Sequence, residues 1–367
     1  MITRRSFNAV APGLLGSALA VSACSPDLGA SRYEAEAAQT WRPRAIVDTQ
    51  GVALLSELVR YATLAPSSHN TQCWKFRIEE WAITIMPDLS RRCPAVDPDE
   101  HHMFVSLGCA TENLAQAARA HGLFANAQFD MHQDAIRIAL TASTPLVSPL
   151  YQAIPLRQCT RGDYDGKPLS SGELALLERT GASSAVHVLL LPDRSTMDQV
   201  LDHIVQANTA QMADPAFVKE LKTWIRFNGA QAVRTGDGLF SPTTGNPAIP
   251  SWLGDMAFGM FYKTKGENDK IARQLRSSAG VAVFTGQAAD KAHWIEVGRC
   301  YERFALQATA LGIRTAFLNQ PVEVSSMRPA FASSLGLGDQ RPDLVVRFGR
   351  GPRMPLSLRR SVHSVLI

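Results

Sequence analysis

Three short stretches hold side chains whose types and spacing could bind a phosphorylated heteroaromatic group. The first is Ala65-Pro66-Ser67-Ser68-His69-Asn70-Thr71-Gln72-Cys73-Trp74. The pattern predicts a helix ending at Pro66, a polar loop, and a strand starting at Trp74. Hydroxyls and amides in such a loop can hydrogen-bond a ring edge, although any well-satisfied turn uses the same residue types. The second stretch is Leu156-Arg157-Gln158-Cys159-Thr160-Arg161-Gly162. Two arginines four apart with small residues between them can clamp a phosphate, while exposed arginines commonly do no more than solvate a face. The third, Phe348-Gly349-Arg350-Gly351 with Leu356-Ser357-Leu358-Arg359-Arg360-Ser361, supplies more arginines behind an apolar strand.

Other chemistries find less support. The six cysteines (24, 73, 93, 109, 159 and 300) form no C-x-x-C pair, and the nine histidines no H-E-x-x-H. No zinc site or disulfide framework is predicted. His101 and His102 are adjacent, and on a helix they are expected to point apart and make poor co-ligands. No Gly-rich fingerprint follows a strand, so a Rossmann domain is not indicated. Lys+Arg is 37 against Asp+Glu 33, with no basic run of five, which sets nucleic acid aside. Hydrophobic residues at 46% and charged residues at 19% exclude a disordered or coiled-coil chain.

The elements that must position these stretches read as a mixed α+β chain. Helices are predicted at 52–64, 171–179, 196–211, 214–227 and 268–276, a β-hairpin at 74–86, and strands at 186–191, 280–285 and 343–348. The Gly/Pro/Ser-rich span 235–252 reads as a long loop, a lid or binding segment. The chain also repeats itself. Val105-Ser106-Leu107-Gly108 through Glu112 to Gly122-Leu123 aligns without a gap on Ile295-Glu296-Val297-Gly298 through Glu302 to Gly312-Ile313. Each copy is an amphipathic helix closed by a glycine, followed by a β-rich run.

In order and content these pieces resemble the FMN-dependent nitroreductase family, specifically its exported single-chain branch of Acg-type FMN-binding oxidoreductases, over about 52–360. The family loop A-P-S-x-x-N-x-Q-P-W is matched by Ala65, Pro66, Ser67, Asn70, Gln72 and Trp74, with Cys73 in place of Pro. The family phosphate motif R-R-S-x-R is matched at Arg157 and Arg161, with Gln158 and Cys159 departing. The resemblance implies a nitroreductase-like fold and a bound FMN. It assigns the cofactor to Pro66, Ser67, Ser68, Asn70, Gln72, Arg157, Cys159, Arg161, Asn319, Gln320, Arg359 and Arg360, with Arg350 a lesser substitute for the last two. It implies a backbone N–H of Phe317-Leu318-Asn319-Gln320 near flavin N5, no catalytic side chain and no metal ligand. Family members are typically dimers with a flavin between subunits. The repeat therefore implies a single-chain pseudo-dimer, a monomer of tandem repeats at 49–148 and 149–367 keeping one flavin site.

The N-terminus reads as an address. Arg4-Arg5 followed by Phe7, the apolar stretch Ala9–Val21 and Val21-Ser22-Ala23-Cys24 resemble a twin-arginine signal ending in a lipoprotein cleavage site. Residues 1–23 are then a signal peptide read by the twin-arginine translocase, and 24–48 a linker without apolar periodicity. The mature chain is expected in the periplasm, with membrane attachment only through a lipid on Cys24. Removing Arg4 and Arg5 leaves 35 basic residues against 33 acidic. The leading functional expectation is an oxidoreductase passing electrons through flavin N5 to a nitro, quinone or similar small-molecule acceptor. The alternative is a flavin-holding protein closed by its own lid, with little NAD(P)H turnover. A scaffold without cofactor is the weakest of the three.

Overall fold

The computed structural model describes residues 28–43 and 51–367. The twin-arginine segment, Cys24 and part of the linker lie outside the described residues. The linker is not a bare tether, because Ala30–Thr40 form helix α1. Tyr33, Ala37 and Trp41 recur every four residues and are all buried. This one stripe is narrow enough to pass as unpatterned sequence.

The first half runs α2 (Val52–Thr63), β1 (Trp74–Glu79), β2 (Ala82–Pro87), α3 (His101–Ala120), β3 (Leu123–Asp130) and β4 (Ala135–Ala142). Its antiparallel sheet has the order β1-β2-β4-β3. In β1, Trp74 and Phe76 are fully buried while Lys75 and Arg77 face outward, the alternation of a sheet with one covered face. After α4 (Pro149–Ala153) the second half begins with α5 (Ser171–Gly181), started by a capping box between Ser170 and Glu173. β5 (Val186–Leu191) follows, and then a long insertion: α6 (Arg194–Ala213), α7 (Pro215–Trp224), β6 (Ile225–Arg226), α8 (Gly229–Thr235), β7 (Leu239–Phe240), α9 (Gly254–Phe261) and α10 (Thr264–Arg276). The chain then makes β8 (Gly280–Gly286), α11 (Lys291–Ala310), β9 (Arg314–Phe317), α12 (Gln320–Glu323), α13 (Arg328–Ser334), β10 (Leu344–Gly349) and α14 (Val362–Val365). This sheet has the order β5-β8-β10-β9, also antiparallel.

Both sheets therefore place their strands first, second, fourth, third, with a 20-residue helix between the second and third. Those two helices, α3 and α11, cross at the aligned glycines. A Cβ on Gly108 would lie 2.0 Å from the Ile295 carbonyl oxygen, and one on Gly298 2.0 Å from that of Val105. The contact is reciprocal, and only glycine permits it. Gly122 and Gly312 close the helices at φ 76° and 72°, the left-handed cap their positions predicted. One apolar core runs through both halves by way of Phe104, Leu107, Val297, Tyr301 and Phe304. A second packs α6 and α10 on the other face of the β8–β10 pair through Ile204, Leu275, Val283 and Val345.

Two predicted elements differ. The helix expected to reach 227 stops at Trp224, because Ile225 and Arg226 pair in parallel with Leu239 and Phe240. The span 235–252 is accordingly not a plain loop. It holds β7 and 3-10 turns at Ser241–Thr244 and Ser251–Leu253.

Candidate functional site

The loop after α2 is built under strain. His69, Asn70 and Gln72 sit at φ 48°, 54° and 55°, a left-handed region that non-glycine residues rarely occupy. Each costs on the order of 1–3 kcal/mol and persists only where its surroundings impose it. Here they do. The Gln72 N–H donates to Ser67 Oγ (2.9 Å), and Asn70 Nδ2 donates to the carbonyls of Gly238 (3.0 Å) and Leu358 (3.2 Å). Gln72 Nε2 donates to the Gly236 carbonyl (2.9 Å). Arg359 satisfies the C-terminal carbonyls of α2. Its Nε donates to Thr63 O (2.7 Å), and its Nη2 to Leu64 O and Ala65 O (both 3.1 Å).

This loop forms one wall of a cavity of about 260 Å³ and of an adjoining one of about 50 Å³. Pro66, Ser67, Arg161, Leu239 and Phe317 line both, so the two are compartments of one cleft. The smaller adds Trp41, Asn70, Arg157, Cys159 and Arg359; the larger adds Ser68, His69, His102, Asn319 and Gln320. Ten of the twelve residues expected to meet a cofactor thus border one cleft. Gln72 and Arg360 border neither compartment, because the Arg360 N–H donates to Gln72 Oε1 (2.7 Å) and fixes the two as struts of the loop.

The arginines divide their labour. Arg157, expected to clamp a phosphate, is buried, donating from Nη2 to Leu64 O (2.8 Å) and pairing through Nε with Glu302 Oε1 at 3.1 Å. Burial pushes the Glu302 carboxyl up to about 7 despite the guanidinium beside it. The Arg161 carbonyl accepts from Gln274 Nε2, while its guanidinium has no hydrogen-bond or ion-pair partner among the described residues and lines both compartments. Its loop is held by Arg347, whose Nη2 donates to Thr160 O (3.1 Å) and Gly162 O (2.8 Å) and whose guanidinium stacks 4.2 Å over Tyr164. Cys159 bridges to Thr315 and so ties the motif to β9. Arg350 pairs with Glu173 instead.

At the other end, Asn319 Oδ1 accepts from the Val345 N–H (2.9 Å), and the buried Oε1 of Gln320 has no hydrogen-bond partner. Sequence reasoning missed several wall residues. The insertion brings Gln211, Asn246, Tyr262 and Lys270 to the larger compartment, where Asn246 donates to the Tyr262 hydroxyl (3.0 Å). Burial, with Arg161 and His102 adding repulsion, pulls His69 down to about 4, and burial lowers Lys270. His101 and His102 do not point apart; their rings lie 4.5 Å from each other at the start of α3. Only the histidine pair carried a signal in sequence. The insertion residues come from elements with no motif.

No protein-family model matches the chain. Two *Mycobacterium tuberculosis* proteins align along nearly its whole length, both candidate NAD(P)H nitroreductases by name. Rv3131 is 25% identical over 349 residues, covering 88% of this chain and 96% of its own. The protein acg is 22% identical over 323 residues, covering 85% and 95%. Among solved structures, the FMN-bound nitroreductase of *Desulfitobacterium hafniense* is 13% identical, spans 59% of this chain and 96% of its own, and has a TM-score of 0.37. NfnB of *Mycobacterium smegmatis*, solved with NADPH, is 13% identical over 55% and 87%, with a TM-score of 0.36. Over nearly its whole length, then, the mixed helix-and-sheet chain is similar to proteins named as NAD(P)H nitroreductases, acg among them.

Proposed function

We propose that this protein is an FMN-dependent oxidoreductase of the nitroreductase type, reducing a nitro, quinone or similar acceptor. The observation that carries the reading is the convergence of an unpaired Arg161 and the Pro66-Ser67-Ser68 turn on one cleft. The residues fit the cofactor. Arg161 offers a phosphate its free guanidinium, and the unpaired Oε1 of Gln320 offers the ring an acceptor. The two compartments together reach the low end of the roughly 300–1,000 Å³ typical of ligand pockets. Bound FMN supplies the redox chemistry at N5. The chain's own part would be to hold the phosphate at Arg161, to brace that loop through Arg347, and to offer the ring the 66–68 turn and the 317–320 segment. The visible absorption spectrum of the purified protein tests this directly. A colourless protein that takes up no added FMN would sink it.

A second reading, a flavin-holding protein, is supported by Leu239, which comes from the insertion and borders both compartments. Anaerobic mixing of FMN-loaded protein with NADPH separates the two. Bleaching at the ~1–10³ per second of ordinary turnover selects the oxidoreductase. Slow bleaching with ready reduction by dithionite selects the holding protein.

The remaining organisation is proposed on the same footing. The matched strand orders and the reciprocal glycine crossing support a single-chain pseudo-dimer that is monomeric in solution. The N-terminal sequence supports export by the twin-arginine translocase, a periplasmic location and a lipid on Cys24. NADH and NADPH are cytoplasmic, so the physiological electrons would come from another exported or membrane partner. Fractionation of an Arg4→Lys, Arg5→Lys variant checks the route: it should stay in the cytoplasm.

A further inference from the structure

The wall of the larger compartment holds a cluster outside the residues assigned to the flavin. His102 is buried at 4% exposure and lines the cavity, yet neither ring nitrogen has a hydrogen-bond partner. Its Nδ1 lies 3.9 Å from Asp97 Oδ1 and 4.0 Å from Glu323 Oε1, beyond hydrogen-bond reach of both. We propose that Asp97, His102 and Glu323 form a binding site for a divalent transition-metal ion, with zinc the fitting probe.

The donor set is one imidazole nitrogen and two carboxylate oxygens, a borderline combination that suits zinc. In a tetrahedral site with metal–ligand bonds of ~2.0–2.2 Å, donor atoms stand roughly 3.4 Å apart; the imidazole nitrogen already lies within 4.0 Å of each carboxylate, and an ion would have to draw the two carboxylates toward each other. Like-charged carboxylates relax outward without one. Both carboxylates are already aimed by outer partners, as in built metal sites. The N–H groups of His102 and Met103 donate to Asp97 Oδ1 (3.0 Å) and Oδ2 (2.9 Å). Gln211 Nε2 donates to Glu323 Oε2 (2.7 Å), leaving Oε1 toward His102. The nearest arginines, Arg328 and Arg341, both pair with Asp99. His101 stands beside the site but is taken by Asp343, its Nε2 2.9 Å from Oδ1. Entry is open from the cavity, which His102, Gln211 and Glu323 all border.

The test is zinc competition against a chromophoric chelator, with metal content after dialysis, on the full purified chain. One zinc per chain is expected. His102→Gln and Glu323→Gln should each weaken it by ~100-fold or more, beyond the 10–100-fold usual for outer partners. Asp97→Asn also loosens the start of α3, so the other two variants, checked by circular dichroism, carry the result. A second cluster, His69, Cys93 and Glu220, is the internal control. No retained zinc, unchanged affinity in either variant, or dependence on Cys93→Ser overturns the proposal. The readout is metal affinity, so its failure leaves the flavin reading intact, and a colourless protein leaves this site untouched.

Discussion

At the scale of single residues, similar arginines sit in opposite settings. Arg157 and Arg161 look equivalent in sequence, and each fits a phosphate clamp. What separates them is Glu302, 141 positions on from Arg161 and invisible to local spacing, which pairs with Arg157 in the core. Arg161→Ala should therefore weaken FMN binding by about 1.5–3 kcal/mol, the scale of a charged hydrogen bond, with little change in Tm. Arg157→Ala should instead cost about 3–5 kcal/mol of stability, since it strands a buried carboxyl. Flavin titration and thermal unfolding of both variants check this, and equal behaviour in both assays would refute the division. Glu302 also gives a pH dependence of defined sign. Its folded pKa, raised from 4.5 to about 7, means the folded state holds the proton more tightly than the unfolded chain. Its contribution is thus fully present below about pH 4.5 and is lost as pH rises through about 7. The stability of wild type relative to Glu302→Gln, from urea unfolding at each pH, should fall across that window. A flat difference would mean the carboxyl titrates normally.

Among the elements, those with strong periodicity were legible and those defined by partners were not. The Gly108 and Gly298 helices, their glycine caps and the β1–β2 hairpin could be read because apolar spacing and turn residues agree with the fold. Helix α1 escaped because its stripe is three residues wide. Its fixing contacts lie at the far end of the chain: Tyr33 Oη donates to Leu356 O (2.6 Å) and Trp41 Nε1 to Ser357 O (2.7 Å). The 235–252 span escaped because β7 exists only through pairing with β6. What could be read also predicts a cost. Gly108→Ala and Gly298→Ala each force a methyl onto a backbone carbonyl, so each should destabilise by about 1–3 kcal/mol or more. Both act on one crossing, and once the helices have been pushed apart the second methyl should cost less than the first. A strictly additive double mutant in denaturant unfolding would show that the two contacts are independent.

For the molecule as a whole, the question is how many flavins a chain with two matched sheets can hold. The halves share strand order and the central helix, yet the connections that build the cleft differ. α2 reaches β1 through residues 64–73, long enough for the strained Ser67–Gln72 loop. The equivalent passage from α5 to β5 is residues 182–185, too short for such a loop, and the Ser183 N–H closes it directly on Val186 O (3.1 Å). The second half instead carries the insertion between β5 and β8, which adds Leu239 and Tyr262 to the wall of the cleft that both halves line. On the proposed pseudo-dimer reading, the described residues supply the parts for one cleft. The expected result is one FMN per chain on a particle with the mass of a single chain, measured by flavin absorbance against protein concentration and by light scattering across a size-exclusion peak. Two flavins per chain would mean that the short 182–185 passage still supports a site. A stable dimer with one flavin per chain would mean that the fused halves do not replace the subunit interface.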